Sequence, residues 1–198
     1  MRNLLLLLIC PLAFTPILVA QDARPTAPPW REKVAEAMPL LGHRNWILIV
    51  DSAYPLQSSP GIETIDTGAP QLEVVRHVLF TIDRSIHVRP DILMDTELPF
   101  VPEQDAPGAG AYRTEIADLL RAYPIESLPH DHILATIEEA SRHFNILVLK
   151  TNMAIPYTSV FIRLDCKYWS ADAEKRLRTR MSTGTPAATK GSTGQPDQ

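Results

Sequence analysis

The chain alternates between helical and extended hydrophobic patterns from about residue 30 to residue 181. Residues 31–41 carry apolar side chains at Val34, Ala37, Met38 and Leu41, a spacing that predicts a helix with one buried face leading into Gly42 and His43. Trp46–Val50 is an unbroken apolar run of branched and aromatic residues, which predicts a buried strand. After a stretch rich in Ser, Pro and Gly that reads as a loop, Pro70 sits at the first turn of a helix whose face is Leu72, Val75, Val78 and Leu79. Ile92, Leu93 and Met94 form a candidate strand, residues 98–110 hold too many prolines, glycines and acidic positions for any regular element, and residues 112–123 return to helix.

The last third repeats the alternation. Asp131 is placed to cap a helix over residues 132–143 with Ile133, Ile137, Ala140 and Phe144 on one face. A strand over 146–149, a turn over 152–156 and a final strand over 158–164 follow. Helices alternating with short apolar strands predict a three-layer α/β/α domain around a mostly parallel mixed sheet.

The ends of the chain read differently from its middle. Met1, Arg2 and Asn3 give a positive start, residues 4–14 an apolar core and Val19-Ala20 a small-residue end, the pattern of a secretory signal peptide over residues 1–20. Pro11 and Pro16 interrupt that stretch, which is shorter than the ~20 apolar residues a spanning helix needs, so stable membrane insertion is not expected once the leader is removed. The expectation is an exported protein, periplasmic or secreted, with a Pro-rich tether over 21–29, one folded domain over 30–181 and a small polar tail over 182–198. Within the folded part Cys166 is the only cysteine, which excludes an intramolecular disulfide there and reads as a small buried residue. A net charge of −4 supplies no basic footprint for nucleic acid. The cationic run at 174–180 reads as a solvated helix end.

Candidate chemistry gathers around the first strand. Gly42-His43 precedes it, and Asp51-Ser52-Ala53-Tyr54-Pro55 follows it. Ligands in open α/β sheets bind outside the carboxyl ends of strands, which favours Asp51, although a turn cap and a helix end would also account for the pair. No Gly-x-Ser-x-Gly elbow, phosphate loop or His-Glu-x-x-His helix is present. His130-Asp131-His132 lacks a third ligand in a recognisable metal motif, so no metal and no cofactor are expected.

Leu41-Gly42-His43, the apolar stretch after it, and Asp51-x-x-Tyr54-Pro55 together resemble the opening of the bacterial ribose pyranase and fucose mutarotase family. Tyr157-Thr158-Ser159 before the last apolar run resembles that family's second landmark, a tyrosine, a small residue and an asparagine. The resemblance spans residues 32–166 and implies the same α/β/α fold, an isomerase acting on a free monosaccharide, no metal or cofactor, and a ring-shaped homo-oligomer, commonly a decamer, with sites at subunit boundaries. It implies His43 as the proton donor, with Asp51, Tyr157, Thr158 and Ser159 contacting the sugar. A basic residue before the penultimate strand completes the set; His132 is the candidate and His130 the runner-up. Ser159 departs from the family asparagine and has one hydroxyl where an amide both donates and accepts through separate atoms. A carbohydrate-binding protein of the same fold without efficient turnover is therefore the alternative expectation.

Overall fold

The computed structural model describes residues 29–184. The predicted leader, most of the tether and the tail beyond residue 184 lie outside the described residues. In chain order the elements are α1 (Pro29–Ala37), β1 (Trp46–Val50), β2 (Ile62–Asp66), α2 (Gln71–Arg84), β3 (Val88–Asp95), a single 3-10 turn (Leu98–Phe100), α3 (Ala109–Leu120), β4 (Ile125–Leu128), α4 (His130–Ser141), β5 (Ile146–Lys150), β6 (Val160–Cys166) and α5 (Ala171–Ser182).

The six strands form one sheet in the order β2-β5-β1-β6-β3-β4. β1, β2 and β5 run parallel to one another, as do β3 and β4, while β6 lies antiparallel between β1 and β3. The mostly parallel mixed sheet and its three layers are those the sequence predicts. Every residue of β1 is buried because both its faces are covered. Ile47 and Ile49 pack with Val34 of α1, Val75 and Val78 of α2 and Ile116 of α3, whereas Trp46, Leu48 and Val50 pack on the opposite face with Ile133 and Ile137 of α4. Each fully buried isoleucine contributes about 1.5–3 kcal/mol of transfer free energy.

The structure departs from the sequence pattern at both edges. Residues 62–66 are strand β2 rather than loop, and residues 125–128 form β4, which the pattern did not mark. Both lie at the ends of the strand order, no residue of either is fully buried, and β2 carries only two isoleucines among polar residues. An apolar run is the signal of a central strand, and edge strands lack it. β3 extends upstream through Pro90, which is tolerated because β4 pairs only with Ile92–Asp95 and leaves that part of β3 without a neighbour on one side. Asp131 does not cap α4: Pro129 occupies the cap position, Asp131 lies in the first turn, and the side chain that receives the first helical N–H comes from Glu97. Cys166 is half-buried rather than buried.

Candidate functional site

His43 stands at the tip of a tight turn. Asn45 N–H donates to Gly42 O at 3.1 Å, Asn45 Oδ1 accepts from Gly42 N–H at 2.7 Å, and Arg44 takes a left-handed φ of 75°. Two bonds anchor the turn to β6: Arg44 N–H to Leu164 O, and Leu164 N–H to Asn45 O, both 2.9 Å. This attachment brings His43 Nδ1 to 3.0 Å from Asp165 Oδ1. The other carboxylate oxygen of Asp165 accepts from Arg89 Nε at 2.9 Å and from the Arg89 terminal nitrogen, across the strand pair in which the two residues are directly opposed. Burial pushes the Asp165 carboxyl up, but the Arg89 hydrogen bond, the Cys166 N–H and the charges of Arg89 and His43 outweigh it and hold the group below the usual aspartate range. Asp165 is therefore anionic, and His43 meets it as a charge contact at 3.0 Å.

Asp51 occupies the other end of the same strand. Five residues of β1 separate the two groups, about 16 Å of extended chain, so one small ligand cannot touch both within a single copy. The Asp51 side chain accepts from Ala53 N–H at 2.8 Å, which is the turn-capping role, and its charge also reaches Asp95. Asp95 ends β3 with its residue only 2% exposed. His130, the first residue of α4, brings Nδ1 to 3.1 Å from Asp95 Oδ1, but the approach is too oblique for a hydrogen bond. Burial dominates and raises the Asp95 carboxyl, helped by the charges of Glu97 and Asp51 and opposed by His130. Glu97 receives the His130 backbone N–H on both oxygens, at 3.1 and 3.2 Å, and so fixes where α4 begins.

Tyr157 completes this cluster. Its φ of 59° is rare for a bulky residue, and its ring meets that of His130 edge to face at 5.5 Å between centroids. Behind it Thr158 is fully buried: its hydroxyl donates to Ile155 O at 2.8 Å and its carbonyl accepts from Tyr112 Oη at 2.7 Å and from Gln71 Nε2. These bonds make Thr158 an anchor for the turn that presents Tyr157. Ser159 is 2% exposed, and continuing the registers of β6 places it between Val50 and Asp95. His132 is exposed on α4 and makes none of these contacts; His130 makes them. Open clefts of about 520 Å³, bounded by Glu97, Phe100 and Tyr157, and about 440 Å³, bounded by Tyr54 and His130, adjoin the ring pair. Burial, with a smaller push from Asp51, raises the Tyr54 phenol to about 12, so it stays a neutral donor.

Two separate constellations thus exist in the chain: His43, Asp165 and Arg89 at one end of the sheet, and Asp51, Asp95, His130 and Tyr157 at the other. Asp95 shares with Asp51 the position just beyond an apolar run, so the rule that marks one also marks the other. Nothing local marks Asp165 or Arg89, whose meeting depends on the β3 and β6 register. Among the described residues no group of three or more His, Cys, Asp or Glu side chains is arranged to hold a metal ion.

No protein-family model matches the chain, and no curated protein does. Solved structures that are similar to it include RbsD of Bacillus subtilis, determined with D-ribose, at 15% identity over 66% of this chain and 89% of that one, with a TM-score of 0.49. FucU from Bifidobacterium longum is similar at 15% identity over 67% and 92% of the two chains, with a TM-score of 0.47. The fucose mutarotase of Streptococcus pneumoniae, determined with L-fucose, is similar at 18% identity over 72% and 96%, with a TM-score of 0.43.

Proposed function

We propose that this protein interconverts ring forms of a free monosaccharide by acid–base catalysis. The observation that supports this reading best is the pairing of the Gly42-His43 and Asp51-x-x-Tyr54-Pro55 motifs with a histidine held by an anionic partner at one end of the sheet and a polar, aromatic cleft at the other. Opening a cyclic hemiacetal requires a proton delivered to the ring oxygen and one removed from the anomeric hydroxyl. Closure on the other face, or through another hydroxyl, then gives the second ring form with no net change in atoms. His43 gives and takes the proton, with the Asp165 carboxylate beside its ring to favour the protonated form as it develops. Water or the sugar itself relays the second proton.

Asp51 and His130 hold hydroxyls in this scheme, Tyr157 packs its ring against the sugar, and Ser159 contributes a short hydroxyl where the resembling family has an amide. His130 takes the role in place of His132, since it is His130 that meets Asp95 and Tyr157 and lines the cleft. His43 joins this set only from a neighbouring copy, consistent with the subunit-boundary sites that the resemblance implies.

Exchange NMR on the folded domain with ribose, fucose, galactose and glucose tests the reading. Accelerated magnetisation transfer between ring forms, lost by about 10²–10⁴-fold in His43→Ala, is the expected result. Line broadening without acceleration would instead identify a carbohydrate-binding protein, and neither signal would leave only the fold in common.

A further inference from the structure

The C-terminal helix α5 buries none of its residues, yet the segment that leads into it is held firmly. Trp169 is 44% exposed, while the other tryptophans, Trp30 and Trp46, are 3% and 2% exposed. An exposed indole normally has rotamer freedom, but the Trp169 Nε1–H donates to Glu174 Oε2 at 2.8 Å. The other Glu174 oxygen accepts from Arg178 Nε at 2.6 Å. The chain Trp169, Glu174, Arg178 fixes an aromatic ring at the rim of a cavity of about 610 Å³ whose other walls include His43, Arg89 and Asp165. The cavity is of the size that small ligands occupy.

We infer that this cavity is a stacking subsite for a neutral sugar ring, with Trp169 as its apolar wall. The inference rests on the ring-interconversion reading for its ligand class, but not on turnover. Sugars present an apolar face of C–H groups and an edge of hydroxyls, and the cavity offers a fixed indole for the first and charged planar side chains for the second. Charge selects the neutral class. Arg89 is already committed to Asp165, Arg178 to Glu174, and the Arg44 guanidinium lies over the Phe144 ring at 5.9 Å. A phosphorylated sugar would bring two further negative charges to a site with no uncommitted pair of cations to receive them.

Tryptophan emission supplies the test, because Trp169 is the exposed indole of the three. Titration of the full chain with ribose, fucose or galactose should give a saturable change in emission. Trp169→Phe should remove that signal, and Trp169→Ala should weaken calorimetric binding about tenfold. Ribose 5-phosphate should bind at least about tenfold more weakly than ribose. Sugar binding with unchanged affinity in Trp169→Ala would overturn the subsite while leaving the proposed function intact. An emission change that follows protein concentration and ignores sugar would also overturn it, assigning Trp169 to a contact between copies. Emission change without ring exchange in the unsubstituted protein would keep the subsite and remove the enzyme.

Discussion

Asp95 ends β3, Asp165 lies one residue before the end of the adjoining β6, and the two carboxyls are displaced in opposite directions. Asp165 meets Arg89 and His43, and its carboxyl is lowered; Asp95 is enclosed, and its carboxyl is raised. The signs follow from which state holds the proton more tightly. A lowered group adds stability above the ordinary aspartate range and loses it as pH falls through its folded value. A raised group does the reverse: stability is greatest below the ordinary range and declines as pH rises towards the folded value. Urea midpoints between roughly pH 3 and 7 should therefore lose part of their acid-side decline in Asp165→Asn. In Asp95→Asn, part of the decline on raising pH should disappear. Identical profiles for the two variants would contradict the assignment. Asp165→Asn should also lower kcat for ring exchange by about tenfold or more, a larger change than in KM, because its carboxylate stands 3.0 Å from His43 Nδ1.

At the level of the element, the start of α4 is set from outside the helix. Pro129 brings no capping side chain, and Glu97, thirty-three residues earlier in the sequence, accepts the His130 N–H in its place. Glu97→Ala should cost about 0.5–2 kcal/mol of unfolding free energy, read from urea denaturation, and should loosen His130 against Tyr157. A variant of unchanged stability would show that water caps the helix equally well. This long-range cap explains what the sequence did not display. The helical face of α4 and the buried run of β1 were legible because each is a periodic pattern within one element, and the Asp51 position was legible because a strand end marks it. Edge strands β2 and β4, half-covered and polar, lack such a pattern. The choice between His130 and His132 turned on which residue begins the helix, and that depends on Glu97. Asp165 became a partner of His43 only through a strand register that no local stretch encodes.

At the scale of the whole molecule, the separation along β1 constrains assembly. His43 and Asp51 stand beyond opposite ends of one strand, yet the proposed reaction uses both on a single sugar. Proximity between reacting groups is a large part of the catalytic advantage, and about 16 Å of strand would forfeit it. Copies arranged head to tail bring the His43 end of one chain to the Asp51 end of the next, a heterologous contact that closes into a ring when the rotation permits. Mixing two inactive variants distinguishes the arrangements. His43→Ala supplies an intact Asp51, and Asp51→Asn supplies an intact His43. If sites lie between copies, dissociation and random reassembly at equal amounts should restore roughly one quarter of the original ring-exchange rate, since half of the chains carry each intact residue. If each chain holds its whole site, every site in the mixture keeps one defect and the rate stays at that of the separate variants. Recovery must also require reassembly: the same proteins mixed without dissociation should gain activity only as fast as subunits exchange, which size-exclusion chromatography of a tagged and an untagged variant measures directly.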